Sequence, residues 1–600
     1  MRYRYLLRYF VTWLLIFITQ KIVFMLFNMG LSDGAPFWSC VASLWHGLRL
    51  DIVTACYLLV VPALAIFVSC FFDRFPLRRI LMPYYWLVAI VVAMIFIADT
   101  VLYGFWGAKL DANELTYAAR PKDVFANLPI WASLLAMALA AAVVFHYYRR
   151  QRHATPKSLS APRSRLSSLL FFPLVGLLFL GMRGGVRESS ANPADAYFSP
   201  YPFCNHAALN PVFNVMHSLF KGNDIEHEFD NCTDDEVRSL LGDAYVQDNA
   251  LTDTLLALHR PNILLVIWEG GGLGMVGSDS VAPNLQSLKR EGLYFSRCYA
   301  NSFRTDRGLL AILSGWPGLP TLSLMARTDL SCCLPSIATS LRDVGYHTSL
   351  TYGGDIDFAN LRLYVSETGF SHVHSGDQFP SDLCTSAWGV PDGQMLTTDI
   401  IPDERPFFST ALTLSSHEPW EVPMQRLSDP KFNSFAYTDS CLGAFIGQLK
   451  SMPLWDSLLV VIIPDHGIVY GDHRSTADTA VTHIPMLWLG GALGKTGVVD
   501  KLMNQSDLPA TLLAQLGLGS ELFSFSRNLF SPSFDSRRAF AVHSDKNWLT
   551  FITPYHVSTY DCIGRTLRAG NEEDKRFSEA FLQHLYRTTA ALPKSSPVKE

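Results

Sequence analysis

Five long apolar segments in the first third of the chain limit what it can fold into. Each is close to the ~20 residues that a membrane-spanning helix needs, and arginine-rich loops lie between them. Buried core helices are the alternative, but five apolar segments with basic connections fit a membrane domain far better. The predicted spans are residues 9–27, 52–72, 80–98, 128–146 and 166–182.

The basic residues of the loops predict the orientation of these spans. Residues 1–8, 73–79 and 147–165 together carry twelve Arg and Lys residues, whereas the loops on the other side carry four. The positive-inside rule therefore places the N-terminus in the cytoplasm and everything after residue 182 outside. No small-residue cleavage site follows the first segment, so it is expected to stay as an anchor.

Composition excludes some classes of protein. A length of 600 residues predicts two or more domains, and a net charge of -5 without a basic stripe in the second half argues against a nucleic-acid binder. The cysteine spacing matches no zinc module, and no disulfide pairing follows from it. Cys40, Cys56 and Cys70 lie in or near the membrane, and the other eight cysteines would lie outside, where disulfides can persist.

From residue 261 on, apolar runs alternate with helical stretches, which predicts an α/β domain with a mostly parallel central sheet. The predicted domains are 1–182 in the membrane, a connector at 183–260 with interfacial helices, a globular domain at 261–545 and a C-terminal segment at 546–600. The predicted strands are 262–268, 347–351, 407–414, 458–463 and 485–489. The predicted helices are 205–220, 233–241, 282–291, 334–344, 437–450 and 505–516, and the tail 591–600 is expected to be disordered.

Two of the apolar runs end on side chains that bind metals. The run 262–268 is followed by Glu269, and the run 458–463 is followed shortly by Asp465 and His466. Ligands bind beyond the carboxyl ends of strands in open α/β sheets, and these donors suit a divalent cation. The structural alternative is that Glu269 caps a helix and that Asp465 and His466 begin a turn.

The segment 301–320 predicts a polar loop that enters a helix, with Thr305 at or near the N-cap. Backbone N–H groups at a helix start favour an anion such as phosphate, and a hydroxyl beside a dication becomes a better nucleophile. Arg304 and Arg307 could pair with phosphate oxygens. The alternative is an ordinary Thr cap with solvated arginines.

Three further residues are candidates for substrate contacts. His417 follows the run 407–414 and could bind a phosphate or protonate a leaving group, while Trp388 could form an apolar wall. His473 lies beside Asp472 in a second Asp-His pair. A capped loop histidine, a core tryptophan and a solvated loop are the respective structural alternatives.

Taken together, these residues resemble the lipoteichoic acid synthase family, whose members have five membrane helices followed by an extracytoplasmic sulfatase-like domain. The resemblance covers nearly the whole chain. The matching positions are Glu269, Thr305, Asp465 and His466, with His417 in TLSSHEPW, TYGGD at 351–355, WGVPD at 388–392 and SDLPATLL at 506–513.

The resemblance implies a bacterial cytoplasmic (inner) membrane protein that binds one divalent cation, Mn²⁺ first and Zn²⁺ or Mg²⁺ as alternatives, through Glu269, Thr305, Asp465 and His466. Thr305 would attack phosphatidylglycerol, release diacylglycerol and pass phosphoglycerol to an envelope glycan or lipid. Arg304, Arg307, His417, Trp388 and His473 would contact substrate.

Two departures from the family leave the substrate open. Thr305 stands in RTDRG instead of a glycine-rich GKTSD-like stretch, and no Arg follows Trp388 closely. A phosphoethanolamine transferase that uses phosphatidylethanolamine is the near alternative. A sulfatase is less favoured because residues 301–308 contain no Cys/Ser-x-Pro-x-Arg pattern, and an inactive scaffold is less favoured because all four ligand residues are present.

Overall fold

A computed structural model of the chain forms two compact units, residues 1–223 and 224–600. Each unit is described by itself. The structure describes all residues except 1, 33, 73, 107–108, 111–129, 160–168, 170, 186–190, 192, 197, 200, 221–224, 243, 246–251, 474, 477 and 594–600.

The first unit is helical. Its helices are α1 (Arg2–Phe27), α2 (Phe37–His46), α3 (Leu48–Val68), α4 (Leu77–Trp106), α5 (Ile130–Ala154), α6 (Phe171–Arg183), α7 (Pro202–Ala208) and α8 (Pro211–Phe220).

Three stretches of the described chain are long and apolar enough to cross a membrane: Arg4–Phe27, Phe37–Phe71 and Leu77–Gly104. They contain the first and third predicted spans and all of the second except residue 72. Helix α5 overlaps the fourth predicted span, of which residues 128–129 lie outside the described part. Helix α6 has 13 residues, or about 20 Å, and most of residues 166–170 before it also lie outside the described part.

A buried ion pair explains how α1 carries a lysine among apolar residues. The Lys21 ammonium donates to Asp51 Oδ2 at 2.7 Å, and both side chains are at most 1% exposed. Asn210 donates to the other oxygen of Asp51 at 2.8 Å. Lys109 and Asp99 form a second buried pair. These pairs match the rule that charges within a membrane domain face the bundle interior and pair with one another.

The predicted helix 205–220 is two helices in the structure, and both belong to the first unit. Helix α7 packs against α2, and α8 packs against α3 and α4. The sequence had predicted an interfacial helix for this segment. The helix breaks at Leu209 and Asn210 because Asn210 precedes Pro211. A residue directly before a proline disfavours the helical backbone conformation.

The second unit contains a nine-stranded mixed sheet in which β1, β5, β6, β3 and β4 run parallel. The strand order is β4-β3-β5-β1-β6-β7-β2-β8, with β9 beside β2. The strands are β1 (Asn262–Trp268), β2 (Leu293–Tyr299), β3 (His347–Tyr352), β4 (His372–His374), β5 (Phe407–Leu412), β6 (Leu458–Pro464), β7 (His483–Leu489), β8 (Gly497–Val499) and β9 (Met503–Asn504).

Helices cover both faces of this sheet. The helices of the second unit are α9 (Asp234–Leu241), α10 (Leu273–Val276), α11 (Pro283–Glu291), α12 (Thr305–Ser314), α13 (Thr328–Ser331), α14 (Ile337–Asp343), α15 (Leu361–Glu367), α16 (Asp392–Met395), α17 (Pro430–Lys450), α18 (Thr479–Thr482), α19 (Leu508–Gln515) and α20 (Glu572–Ala590). Strands β1 and β6 are buried at every position, because apolar clusters pack on both sides of them.

The five predicted strands are all present, with ends shifted by up to two residues. The sequence analysis missed β2, β4, β8 and β9. It also started α17 seven residues late, although Asp429 caps that helix by accepting from the N–H groups of Lys431 and Phe432.

The end of the chain forms a separate antiparallel sheet of β10 (Ala541–Ser544), β11 (Trp548–Ile552), β12 (Val557–Asp561) and β13 (Thr566–Ala569). These strands and α20 complete the second unit. The domain boundaries drawn from sequence stay predictions, and residues 594–600 of the predicted disordered tail lie outside the described part.

We expect Lys21→Met to destabilise the first unit by about 3 kcal/mol or more, because Asp51 is then a buried charge without its cation. The double variant Lys21→Met/Asp51→Asn removes both charges and should recover most of that loss. Thermal unfolding of the full chain in detergent micelles measures both. A double variant as unstable as the single one would contradict this account.

Candidate metal centre and nucleophile

Strand register brings the first two candidate ligands together. Strands β1 and β6 are parallel neighbours, and Trp268 is paired with Pro464 at their carboxyl ends. The next residue of each strand is therefore Glu269 beside Asp465. The backbone N–H of Glu269 also donates to Thr413 Oγ1 at 3.0 Å, which ties it to the end of β5.

The side chain of Asp465 has one oxygen held by the backbone and one that accepts no hydrogen bond. Oδ1 accepts from the N–H groups of Gly270 at 2.9 Å and of His466 at 2.8 Å. Oδ2 is buried, makes no hydrogen bond within the described residues and lies 3.6 Å from His466 Nε2. That nitrogen is also 3.3 Å from Glu269 Oε1.

These three side chains fit a divalent cation. Ligand atoms of Glu269, Asp465 and His466 all lie within 4.8 Å of one another, and all three residues are buried. His466 Nδ1 donates to the Gly467 carbonyl at 3.1 Å, which leaves Nε2 free to bind a metal. The hydrogen-bond-free oxygen of Asp465 faces the same point, so this donor set could hold one cation.

Thr305 lies next to this group. Its hydroxyl donates to Glu269 Oε2 at 3.1 Å. The structure makes Arg304 the N-cap and Thr305 the first residue of α12, one position from the predicted cap. The Thr305 oxygen is thus at a helix start and in contact with a candidate metal ligand.

Helix α12 can approach the end of β6 because its fourth residue is glycine. A Cβ added to Gly308 would lie 2.2 Å from the carbonyl oxygen of Asp465, which is far inside van der Waals contact. Any larger residue there would push the helix that carries Thr305 away from the strand that carries Asp465.

A glutamine side chain holds the segment before Thr305 and the end of β6 together. Gln505 Nε2 donates to the carbonyls of Pro464 and Asp465 at 2.8 and 2.7 Å, and its Oε1 accepts from the N–H of Asn301 at 3.0 Å. Gln505 is fully buried. This residue comes just before the SDLPATLL motif.

The three ionisable candidate ligands shift one another's pKa values. Burial acts to raise the pKa of Glu269, but the hydrogen bond and charge of His466 lower it to about 2. Burial and then Glu269 raise the pKa of Asp465 to about 7. Burial acts to lower the pKa of His466, whereas Asp465 and Glu269 raise it to about 9. At neutral pH a proton on His466 therefore occupies the place that a cation would take.

His417 and Trp388 line a pocket beside Thr305. Their rings are 4.2 Å apart, and the indole N–H of Trp388 donates to the Glu418 carbonyl. His417 Nδ1 donates to the same carbonyl at 2.9 Å. The pocket is lined by Glu269, Thr305, Asp306, Leu309, Met325, Tyr352, Ala359, Leu361, Trp388, Leu412, Leu414 and His417.

Asp392, the last residue of the WGVPD motif, holds the loop that leads to His417. It is fully buried and accepts from the N–H groups of Leu414 and Ser415 at 2.8 and 3.2 Å and from the Thr438 hydroxyl at 2.6 Å. The motif thus connects β5, the His417 loop and α17.

The other predicted substrate residues do not line this pocket. Arg307 is 6% exposed, and its Nε and Nη1 make no hydrogen bond within the described residues. Arg304 and Arg307 both lie against the Phe303 ring, at 5.5 and 6.0 Å. His473 is held by Asp478, with its Nδ1 2.7 Å from Oδ2.

Sequence reasoning missed several residues around the site. Tyr352 and Met325 line the pocket, and Gly308, Gln505 and Asp392 position it. The quoted motifs contain Tyr352 and Asp392, but nothing in their spacing indicated which group each one would contact.

Comparison with known proteins finds a family match in the second unit. Residues 261–518 match the family model named Sulfatase. The solved structure of a protein in the alkaline phosphatase superfamily from Vibrio parahaemolyticus matches with a TM-score of 0.53 at 24% identity, over 62% of this chain and 100% of that one.

The relatives confirm the resemblance to the lipoteichoic acid synthase family. Lipoteichoic acid synthase 1 of Bacillus subtilis is 25% identical over 42% of this chain and 43% of its own length. Phosphoglycerol transferase I of Escherichia coli is 22% identical over 34% and 31%. The structure of the lipoteichoic acid synthase LtaP from Listeria monocytogenes matches with a TM-score of 0.50 at 19% identity, over 61% of this chain and 100% of that one.

These findings confirm the predicted fold class, in which apolar N-terminal helices precede a sulfatase-like α/β domain with a mostly parallel mixed sheet. The matches to the two curated relatives span less than half of the length of each of them.

We expect divalent cation binding to release about one proton or more per site at pH 7.5, because the cation displaces the proton on His466 and competes with any on Asp465. Both groups have a raised pKa, so affinity should rise as the pH increases from 6 to 9. Calorimetry in buffers of different ionisation enthalpy counts the protons. Binding that is independent of pH over this range would contradict the proposed ligands.

We expect Gly308→Ala to weaken cation binding about tenfold or more, as changes that disturb ligand support commonly do. Gly447→Ala is the matched control, because Gly447 also lies in a helix and a Cβ there meets nothing within 4 Å. Equal cation affinities in the two variants would show that the contact between α12 and β6 does not position the site.

Proposed function

We propose that the protein is a metal-dependent transferase that moves a phosphoglycerol headgroup from phosphatidylglycerol to an envelope glycan or lipid acceptor. The observation that carries the proposal is the Thr305 hydroxyl, which donates to Glu269 at 3.1 Å beside the Asp465 and His466 ligand atoms. A hydroxyl at a helix start and next to a cation site has the surroundings of an activated nucleophile.

The proposed reaction has two steps. Thr305 Oγ1 attacks the donor phosphorus and loses its proton to solvent, the bond from phosphorus to the diacylglycerol oxygen breaks, and that oxygen takes up a proton from His417 or solvent. The acceptor hydroxyl oxygen then attacks the same phosphorus, the bond to Thr305 breaks, and the acceptor's proton returns to the Thr305 oxygen. Donor and acceptor therefore need not bind at the same time.

The proposed cation is held by Glu269, Asp465, His466 and Thr305, and Mn²⁺ is the proposed ion, with Zn²⁺ and Mg²⁺ as alternatives. When bound, it would neutralise charge on a nonbridging phosphate oxygen and on the Thr305 oxygen.

The remaining side chains take roles that their surroundings support. His417, with Nδ1 engaged by a carbonyl, has Nε2 available to hold a proton near the leaving group, and the Trp388 ring beside it forms one wall of the pocket. Nε and Nη1 of Arg307, which make no hydrogen bond within the described residues, could donate to an anion at the start of α12. Arg304 could contact the same anion. His473 is proposed at the outer edge of the substrate site.

The proposed location is a bacterial inner (cytoplasmic) membrane with the N-terminus in the cytoplasm and the second unit outside. This orientation rests on the twelve basic residues of the predicted inner loops against four on the other side. The acyl chains of the donor could then stay in the bilayer while its headgroup reaches the pocket. A bilayer and a phospholipid are accordingly the proposed partners.

A hydrolytic sulfatase has no support at the nucleophile position. Ser302, the hydroxyl closest before Thr305, donates to the Ser544 carbonyl at 2.7 Å and is fully buried. Its oxygen is therefore engaged in the fold.

We expect Thr305→Ala to abolish turnover, with a loss of at least about a thousandfold, while the unfolding temperature stays near that of the wild type. Thr305→Ser is the matched control and should keep measurable activity because it keeps the hydroxyl. The assay is release of diacylglycerol from phosphatidylglycerol and, in parallel, from phosphatidylethanolamine.

Mass spectrometry of the Thr305 peptide after incubation with mixed phospholipids tests the covalent step and names the headgroup. A phosphoglycerol adduct on the wild type supports the proposal, and a phosphoethanolamine adduct would favour the alternative donor. Turnover without any Thr305 adduct, or wild-type activity in Thr305→Ala, would exclude this mechanism.

A further inference from the structure

Two cysteine thiols of the first unit lie side by side between α2 and α7. Sγ of Cys40 is 3.8 Å from Sγ of Cys204. Cys204 is fully buried, whereas Cys40 is partly exposed. The Ser43 hydroxyl of α2 donates to the carbonyl of Cys204 at 2.8 Å, so a second contact holds the same two helices in place.

We propose that Cys40 and Cys204 are joined by a disulfide in the mature protein. The bond would link α2, which follows the first predicted span, to α7, which follows the last one. A disulfide needs its sulfur atoms about 2.05 Å apart, so the two atoms must approach by about 1.8 Å. A shift of that size is within the reach of side-chain rotation at two neighbouring helices.

The proposal rests on the orientation put forward above, and not on the proposed reaction. With the N-terminus in the cytoplasm, both the segment between the first two spans and the segment after residue 182 lie outside. Disulfides form and persist in such compartments, whereas cytoplasmic thiols stay reduced. The two cysteines are therefore on the side of the membrane where oxidation is favoured.

The chemistry needs a thiol oxidant that carries a disulfide of its own, either a protein or a small molecule. The Cys40 thiolate attacks one sulfur of that disulfide, a mixed disulfide forms, and one oxidant thiolate leaves. The Cys204 thiolate then attacks the Cys40 sulfur and releases the second oxidant thiolate. Two electrons pass to the oxidant, and the two cysteine protons end on its two thiols.

The surroundings of the two thiols set the order of these steps. Burial and then the neighbouring Cys40 raise the pKa of Cys204 to about 12, which disfavours its thiolate. Cys40 is also the partly exposed partner of the two, and therefore the one that an oxidant can contact first. Cys40 is thus the first to react, and Cys204 closes the bond.

Differential alkylation of the full chain tests the bond. Membranes are denatured in a first alkylating reagent, then reduced, then treated with a second reagent of different mass, and the peptides are read by mass spectrometry. We expect the second label on Cys40 and Cys204. Cys56 and Cys70 of the same unit serve as internal controls and should carry the first label. The first label on Cys40 and Cys204 would overturn the proposal.

A second measurement distinguishes a wrong bond from a wrong orientation. Cys384 is exposed in the second unit, so a membrane-impermeant maleimide should label it in intact spheroplasts. If Cys384 is labelled while Cys40 and Cys204 are found reduced, the orientation holds and the disulfide is wrong. If Cys384 is protected until the membrane is opened, the orientation fails, and the disulfide proposal fails with it.

The effect of the bond on unfolding gives an independent readout. Reduction with dithiothreitol should lower the unfolding temperature of the wild type by about 5 °C or more. The Cys40→Ser/Cys204→Ser variant should not respond to the reductant, whatever its own starting stability. If reduction leaves the unfolding temperature of the wild type unchanged, a stabilising disulfide between Cys40 and Cys204 is excluded.

Discussion

The parallel pairing of β1 with β6 is the constraint on which the site depends. Because Trp268 faces Pro464 in the register, the next residues bring two buried carboxylates, Glu269 and Asp465, side by side. Two such charges repel each other in a medium of low dielectric constant. His466 Nε2 lies within 3.6 Å of an oxygen of each carboxylate, and a divalent cation could take the place of its proton. Thr305 is set against this group by the start of α12.

The sequence predicted the strands that consist of a continuous run of apolar residues. Strands β1 and β6 are uniformly buried, so each appears as an apolar run that ends within one residue of the strand's end. Strand β2 was missed because its sequence, LYFSRCY, mixes polar with apolar side chains and is only half buried. The strands from β10 to β13 were missed for a similar reason, since they have four or five residues each and carry many polar side chains.

One general rule made part of the candidate site predictable: in open α/β sheets, binding residues follow the carboxyl ends of the parallel strands. Glu269, Asp465 and His466 were found in this way. The supports around them could not be found, because they depend on contacts between residues far apart in sequence. Gly308 matters only because the Asp465 backbone passes close to it, and Asp392 matters because the amides of Leu414 and Ser415 point at its carboxylate.

The hydrogen bonds of Gln505 affect how much the site must rearrange during a reaction. Its amide is neutral at every physiological pH, and it joins the Asp465 carbonyl to the chain segment before Thr305. The spacing between the Thr305 oxygen and the end of β6 is therefore pre-set by a group that responds neither to protonation nor to ion exchange. Such advance placement keeps the reorganisation energy of a charge-separating step small.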